Sequence, residues 1–323
     1  MREKDDEADD ADGNTSSATL NHANQTAGPQ AASSSWRCKN PKVRVEWNRM
    51  AENDKQWYLE SIKCLMESPP LGVWSEAESL WDEIAWVHNR LIPSIHAVDA
   101  FLPWHRYYLH LQSSLLEDHC SYTGPIPWWR ESSNTGNFAS SGLFRPEYFG
   151  SLPPASIIGD GTCITDGPFV NTTVRFGDDA PTCISRGEDK RTTGEVTEAA
   201  LDLCHGDSQT SYKKHARCVE RTIHSNGHIG TGGTMSRITA APVDPVFYLH
   251  HAFVDWQWAR WQEASPRHRK TTISGCAEGS GPSCVRLTED TVLTGLGLFP
   301  DMTVADVLDT ENNILCYTYD DFE

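Results

Sequence analysis

The amino-acid sequence predicts a mainly α-helical domain, a helical-bundle core with long loops and a few short strands. Apolar residues recur at helical spacing in five separate segments, and this periodicity is the main signal for helix. Between the third and fourth segments the chain is rich in Gly, Pro, Ser and Thr, which favours loops. The sequence contains no internal repeat of fixed period, so a solenoid or propeller is not expected.

Composition divides the chain into two parts. Residues 1–35 are rich in Asp, Ala, Ser, Asn and Thr and contain almost no large apolar side chains. Such a segment buries too little surface to offset the entropy lost on ordering, so we predict a disordered N-terminal arm. From Trp36 the composition changes, and residues 36–323 are predicted to form one domain.

The first two helices are predicted over residues 43–67 and 76–91. Ser75 followed three residues later by Glu78 has the pattern of a capping box at the start of the second helix. The apolar positions of the first helix are Trp47, Met50, Trp57, Leu59, Ile62 and Leu65, and those of the second include Leu80, Ile84, Val87 and Leu91.

Three more helices follow. Pro103 suits the first turn of a helix over about 103–119. After the loop-rich residues 121–210, a helix over about 210–228 ends before Gly230, Gly232 and Gly233. The fifth helix starts with Asp244 as its N-cap and Pro245 in its first position, and it continues to about residue 265.

The charge excludes several classes of partner. Acidic residues outnumber basic ones by 45 to 27, which gives a formal net charge of −18. Such a surface repels nucleic-acid phosphates and anionic lipid, so we expect neither nucleic acid nor membrane as a partner. No run of apolar residues is long enough to span a bilayer.

The cysteines and sequons favour secretion. Ten cysteines are present and none forms a C-x-x-C pair, so disulfides are a better interpretation than a thiolate metal site. Cys276 and Cys284 flank a Gly/Ser/Pro loop and are candidates for a local bridge. Asn14, Asn24 and Asn171 stand in glycosylation sequons. The chain opens with charged residues rather than a signal peptide, so we expect a leader to have been removed from a secreted glycoprotein.

Six of the thirteen histidines form two groups. His224 and His228 stand four residues apart, so on a helix their rings lie on one face about 6 Å apart. His251 lies on the apolar stripe of the fifth helix, either hydrogen-bonded in the core or as a metal ligand. Imidazole-only sites suit copper, and zinc is an alternative, but the segment after His224 lacks the glutamate of zinc proteases. The remaining three are His88, His96 and His105.

Longer motifs around these histidines resemble a known family. His96-Ala-Val-Asp-Ala-Phe-Leu-Pro-Trp-His105-Arg-Tyr-Tyr resembles the copper-A signature of tyrosinases and catechol oxidases. Asp244-Pro-Val-Phe-Tyr-Leu-His-His251-Ala-Phe-Val-Asp255 resembles their copper-B signature. Tyr317-Thr-Tyr319 is similar to the motif that closes their catalytic domain. The resemblance covers residues 36–319 in order, and it is to the short fungal forms of this type-3 copper family.

The resemblance implies a fold, a cofactor and a reaction. The helical core would hold a dicopper centre, and with dioxygen as co-substrate the enzyme would oxidise o-diphenols to o-quinones. His250 would be structural, and Asp255 would either orient an imidazole or be a solvated helix charge. The implied ligands are His88, His96 and His105 for one copper ion and His224, His228 and His251 for the other.

Departures from the family pattern decide between related activities. Monophenol-hydroxylating tyrosinases usually carry Asn directly after the first copper-B histidine, where this chain has Ser225, with Asn226 displaced by one. Glu220, one helical turn before His224, either replaces the family's upstream glutamate as a holder of the basic water or is a surface charge. Ile238, ten residues after His228, either gates the pocket or simply packs. We therefore expect diphenol oxidation.

Further departures concern the first copper site. Ser94 replaces a cysteine that forms a thioether in many relatives, so that crosslink is not expected. Ser113 and Arg130 stand where the family commonly has carboxylates. The alternatives that remain are a tyrosinase that also acts on monophenols, methoxyphenols or chlorophenols, a haemocyanin-type dioxygen carrier, and a zinc hydrolase. The oligomeric state has no signal in the sequence.

Overall fold

Long helices form the frame of the structure, which confirms the mainly α prediction. The computed structural model describes residues 37–206 and 211–322, which belong to one compact unit spanning residues 36–323. The predicted disordered arm over residues 1–35 lies outside the described residues, as do the sequons at Asn14 and Asn24. No described helix is long and apolar enough to cross a membrane.

The helices and strands have the following bounds. The helices are α1 (Glu52–Glu67), α2 (Leu80–Ile95), α3 (Phe101–Cys120), α4 (Lys190–Thr193), α5 (Glu198–His205), α6 (Tyr212–Val219), α7 (Ser225–Thr231), α8 (Val246–Glu263), α9 (Pro266–Arg269) and α10 (Val304–Leu308). The strands are β1 (Lys42–Glu46), β2 (Pro127–Trp128), β3 (Thr162–Cys163), β4 (Thr173–Val174), β5 (Thr182–Cys183), β6 (Ser185–Arg186), β7 (Cys276–Glu278), β8 (Val285–Arg286), β9 (Val292–Leu293), β10 (Met302–Thr303) and β11 (Tyr317–Tyr319).

Helices α3 and α8 form the centre of the core, and α1, α2 and α6 pack around them. Both central helices are buried on almost every face, as expected for helices that other elements surround. The N-cap of α8 is Pro245 rather than the predicted Asp244, although the Asp244 Oδ1 accepts the backbone N–H of Val246 at 3.0 Å. The first helical residue is thus Val246 rather than Pro245, one position later than predicted.

The prediction of one continuous helix over residues 43–67 is wrong in its first part. Residues 42–46 form β1, which pairs in parallel with β11 on one side and β2 on the other. Trp47 and Met50 are buried in the turn that follows, and α1 begins only at Glu52. Pairing with strands remote in sequence therefore overrides the local helical periodicity.

The predicted start of the second helix is also wrong. Ser79, not Ser75, is the N-cap, and it forms a capping box with Asp82. The buried carboxylate of Glu83 holds a turn in the chain shortly before this helix. The backbone N–H groups that this carboxylate accepts are those of Leu71, Gly72, Val73 and Trp74, at 2.6–3.2 Å.

The fourth predicted helix is present but not uniform. Helix α6 leads into a π-helical turn (Glu220–His224), which continues as α7 up to Gly232 with its positive φ of 70°. Single π turns within helices are frequent at functional sites. Loops with short strands and the small helices α4 and α5 occupy most of the chain between α3 and α6, as the composition indicates.

Two sets of contacts join distant parts of the domain. All ten cysteines form disulfides, and the predicted local bridge between Cys276 and Cys284 is among them. The other pairs are Cys38–Cys316, Cys64–Cys120, Cys163–Cys183 and Cys204–Cys218.

Asp255 on α8 is the centre of a buried polar network. Its carboxylate accepts hydrogen bonds from Arg106 of α3 at 2.5 Å and from Arg44 of β1 at 3.1 Å. The hydroxyls of Tyr317 and Tyr319 donate to the same carboxylate, each at 2.5 Å. Neither sequence interpretation of Asp255 is therefore correct, because its partners are arginines and tyrosines, and it connects α8 to α3 and to the β1–β11 pair.

Candidate metal centre

Two clusters of histidine side chains face each other inside the helical core. The first triad is His88 on α2, His96 directly after α2, and His105 on α3, with ligand atoms that all lie within 4.8 Å of one another. The Nε2 atoms of His88 and His96 are 3.0 Å apart. This triad unites the three histidines predicted for the first site.

The second cluster holds four histidines, His224, His228, His250 and His251, with ligand atoms that all lie within 4.8 Å of one another. The three of them predicted as ligands, His224, His228 and His251, are called the second triad. His224 ends the π-helical turn, His228 lies on α7 and His251 on α8. The Nε2 atoms of His228 and His251 are 3.2 Å apart. Across the boundary between the triads, the His105 and His251 rings stack at 4.4 Å between centroids, so the two clusters form one continuous site.

Backbone carbonyl groups orient three of these rings. The Nδ1 of His105 donates to the carbonyl of Phe101, and that of His228 to the carbonyl of Met235, each at 2.8 Å. The Nδ1 of His224 lies 3.3 Å from the carbonyl of Glu220. A ring held through Nδ1 presents the lone pair of Nε2 to a metal ion, which is the usual outer-sphere arrangement of metal-binding histidines.

Burial keeps the rings neutral. Removal from water lowers the pKa of His88, His105 and His224 well below the ordinary value of 6.5. The pKa values of His228 and His251 are lowered in the same way. Neutral imidazole is the form that binds metal, so the electrostatics of the cluster suit a metal ion better than protons.

The residues fit a pair of metal ions in a further respect. A buried Nε2 atom without a hydrogen-bond partner remains in each triad, that of His105 in the first and that of His224 in the second. Two nitrogen ligands about 2.0 Å from one ion at a tetrahedral angle lie about 3.3 Å apart, close to the Nε2 separations within each triad. An all-imidazole donor set of this kind suits copper.

Aromatic side chains line the site, and a few of its histidines keep slight solvent exposure. Phe101 packs against His105 and His224, with centroid distances of 4.6 and 4.7 Å. Phe247 lies 4.1 Å from His251 on the other side. The His96 side chain is 10% exposed and His224 and His228 are 7% and 9% exposed, whereas the other three ligand candidates are at most 2% exposed.

The other predicted site residues differ in their contacts and in their exposure. The Ser225 hydroxyl donates to the backbone carbonyl of Glu220 at 2.7 Å. Asn226 is half-buried, and its side chain has no hydrogen-bond partner among the described residues. Ile238 is 45% exposed. Its neighbour Thr239 accepts a hydrogen bond from Asn89.

Sequence reasoning missed a buried acid–base pair behind the second triad. Glu131 and His250 are both fully buried, and His250 Nδ1 lies 2.5 Å from Glu131 Oε1. Burial raises the pKa of Glu131 well above its ordinary value and lowers that of His250 to about 3, so the pair is neutral overall. The His250 ring lies 4.4 Å from that of His228. The sequence gives no local signal for this pair, because its two members are 119 positions apart.

The two departures from the family's carboxylates lie away from the histidines. Arg130 pairs with Glu198 and Asp321, each at 3.2 Å, near the surface. Ser113 donates to the carbonyl of His110 and lines a separate cavity of about 250 Å³ beside β1. Neither side chain contacts either triad.

Several known proteins are similar to this chain in sequence. Residues 78–264 match the model of the common central domain of tyrosinase. The chain is 33% identical over 301 residues to tyrosinase ustQ of Aspergillus flavus, which covers 87% of this chain and 80% of that protein. It is 25% identical to the N-acetyl-6-hydroxytryptophan oxidase of Emericella nidulans, with 87% and 93% of the two chains covered.

Solved structures show the same fold at lower sequence identity. A polyphenol oxidase from Thermothelomyces thermophila has a TM-score of 0.75 at 22% identity, over 86% of this chain and 88% of that one. A functional unit of Octopus hemocyanin has a TM-score of 0.61 at 18% identity, over 86% and 68% of the chains. At these identities the likeness concerns the fold alone.

Proposed function

The chain belongs to the tyrosinase family of oxidases, and on this premise we propose that it converts o-diphenols to o-quinones with dioxygen. The observation that carries the proposal is the pair of facing histidine triads, which are buried and neutral and keep slight exposure at His96, His224 and His228. We assign the first triad to one copper ion and the second to the other. When bound, the copper pair supplies the redox chemistry with dioxygen.

The protein contributes orientation and a shaped, apolar approach. The rings of Phe101 and Phe247 flank the histidines and keep water from the interior of the site. A planar o-diphenol would enter beside His96, His224 and His228, which are the most exposed of the six histidines. Ile238 follows His228 by ten residues and is 45% exposed, and we assign it a role in admitting or rejecting substituted rings.

The contacts of Ser225 and Glu220 support oxidation of diphenols over hydroxylation of monophenols. A phenol with a pKa of about 10 is roughly 0.1% ionised at pH 7. Its deprotonation at that pH costs about 4 kcal/mol, so hydroxylation of a monophenol requires a base that removes the proton. The Ser225 hydroxyl is engaged by a backbone carbonyl, and the Glu220 carboxylate accepts the backbone N–H of Ala97 at 2.7 Å. Both groups are therefore partly engaged, which leaves them less hydrogen-bonding capacity to hold a basic water.

One observation favours monophenol hydroxylation as the second candidate. The Asn226 side chain is half-buried beside Ser225 and is not engaged by another described residue, so it has an amide available to orient a water. The name of the Emericella relative indicates a hydroxylated indole as its substrate. Hydroxylated aromatic rings larger than catechol therefore belong among the compounds to test.

The deciding experiment follows quinone formation and oxygen uptake by the copper-loaded protein with catechol, a monophenol and 2-methoxyphenol in parallel. We expect rapid turnover of catechol and none of the monophenol without a diphenol primer. Unprimed monophenol turnover would replace the proposal by the second candidate. Reversible oxygen binding without turnover of any phenol would identify a carrier instead.

We also propose that the protein is secreted and glycosylated. Five disulfides require an oxidising compartment to form and persist. Asn171 is exposed and adopts a positive φ of 62°, a turn conformation that leaves its side chain accessible to a glycan. Mass spectrometry of the protein secreted by its native host, before and after deglycosylation, tests both statements.

A further inference from the structure

Glu220 is the first residue of the π-helical turn, and it contacts both triads. Its backbone carbonyl accepts hydrogen bonds from His224 Nδ1 and from the Ser225 hydroxyl. Its carboxylate accepts the backbone N–H of Ala97 at 2.7 Å and lies 3.8 Å from His96 Nδ1. Glu220 therefore contacts His224 of the second triad through its backbone carbonyl. Through its carboxylate it contacts the loop that carries His96 of the first triad.

The loop that carries His96 needs such support. His96 ends α2 with an extended backbone, and Ala97 has a left-handed φ of 58°, where its Cβ approaches the following carbonyl oxygen. His105, by contrast, is fixed within a helix by a bond to its own preceding turn. With Ser94 in place of a cysteine, no thioether can tether His96.

A second carboxylate fastens the same loop on its other side. Asp99 is fully buried, and it accepts hydrogen bonds from Arg217 of α6 at 3.0 Å and from the backbone N–H of Cys276 at 2.7 Å. Residues 97 and 99 are thus both bound to the segment formed by α6 and the π-helical turn. The position of His96 follows that of the segment that carries His224.

We propose that Glu220 is a positioning residue that couples the two triads by clamping the His96 loop onto the segment that carries His224. The inference rests on the proposed copper centre. Loss of the carboxylate releases His96 and weakens copper binding at the first triad. The second triad keeps its copper, because the Glu220 carbonyl that orients His224 remains.

The test compares Glu220→Ala and Glu220→Gln with the wild type and with Glu60→Ala, which removes an exposed helix carboxylate from α1. We expect Glu220→Ala to bind one of its two copper ions 10- to 100-fold more weakly, the usual cost of losing an outer-sphere partner. At limiting copper it then holds about one ion per chain, with the EPR signal of an isolated Cu(II). Glu220→Gln retains an acceptor oxygen for the Ala97 N–H and keeps most of the affinity.

A second readout needs no metal. In the copper-free protein, hydrogen exchange of the Ala97 amide should be faster in Glu220→Ala than in the wild type and unchanged in Glu60→Ala. Wild-type copper affinity together with unchanged exchange in Glu220→Ala would overturn the proposal. The proposal would also be overturned if Glu220→Ala kept both copper ions but shifted the pH profile of catechol oxidation, because that result is expected of a catalytic base. A wild type that fails to bind two copper ions would refute the proposed function, whereas the exchange result would still report on the clamp.

Discussion

The two triads differ in what holds their histidines in place. In the second triad every ligand candidate lies on a helical segment, and the rings of His224 and His228 are held by carbonyl groups close in sequence. In the first triad, His96 lies on a loop whose conformation depends on carboxylates from elsewhere in the chain. The second triad is thus largely specified by local helical geometry, and the first by tertiary contacts.

The largest effect is expected from removing one ligand on each side of this comparison. His88→Ala and His251→Ala should each lose one copper ion and all catechol oxidation, because the reaction uses both ions. Elemental analysis and oxygen uptake measure the two losses. His119→Ala, at an exposed position near the end of α3, is the control. Retention of both ions by His88→Ala would show that the first triad has a different third ligand.

The next largest effect concerns Asp255, which binds the helices of both triads together. Asp255→Ala leaves Arg44 and Arg106 buried without their anion, so we expect a loss of about 3–5 kcal/mol in unfolding free energy. Urea denaturation measures the loss. The control is Glu117→Ala, which breaks an exposed pair with Lys42 and should cost less than about 1 kcal/mol. Equal losses in the two variants would contradict the structural role of the network.

Acid should weaken this network in a defined direction. Burial alone would raise the pKa of Asp255, but Arg106 and Arg44 lower it below the ordinary value of 3.8. The contribution of ionised Asp255 to the free energy of unfolding is therefore complete above pH 3.8. It is lost as the pH falls through the lower pKa that Asp255 has in the native state. In Asp255→Asn this part of the acid dependence should be absent.

A smaller effect tests the packing behind the second triad. A Cβ atom on Gly227 would lie 2.5 Å from His250 Cε1 and 2.6 Å from Glu131 Oε2. Gly227→Ala should therefore displace the buried pair and cost about 1–3 kcal/mol through overpacking. Gly206→Ala meets one backbone oxygen at 3.3 Å and serves as the control. Thermal unfolding of both variants measures the difference, and equal melting temperatures would show that the pair has room to move.

The smallest effect is a pH dependence of the helical platform of the second triad. Burial on α6 lowers the pKa of His215 to about 3, so below pH 6.5 the unfolded chain binds a proton that the native state excludes. The contribution of His215 to the free energy of unfolding is complete above pH 6.5. Below pH 6.5 the free energy of unfolding falls by up to about 1.4 kcal/mol per pH unit because of this group. We expect His215→Phe to lose less stability than the wild type between pH 7.5 and 5.5, measured by urea unfolding. Equal losses would show that His215 is not the group responsible.

The same contrast explains what the sequence could predict. The four-residue spacing of His224 and His228 is a local signal, and in the structure their rings do lie together, 4.6 Å apart. The strand β1 gave no such signal, because its partner β11 lies near the other end of the chain. The partners of Asp255 and Glu131 were missed for the same reason. Local periodicity predicts helices and helix-borne ligands, whereas strand pairing and buried ion pairs depend on contacts between remote segments.

The pairing of β1 with β11 also has a consequence for how the chain can be rearranged. The first and last described strands are hydrogen-bonded neighbours, and the Cys38–Cys316 disulfide joins residues 278 positions apart. The first and last strands of the domain therefore lie side by side, and a short linker would suffice to join them. New termini in the exposed turn at residues 178–180 would then leave both triads on uninterrupted segments, so a circularly permuted chain should retain the site.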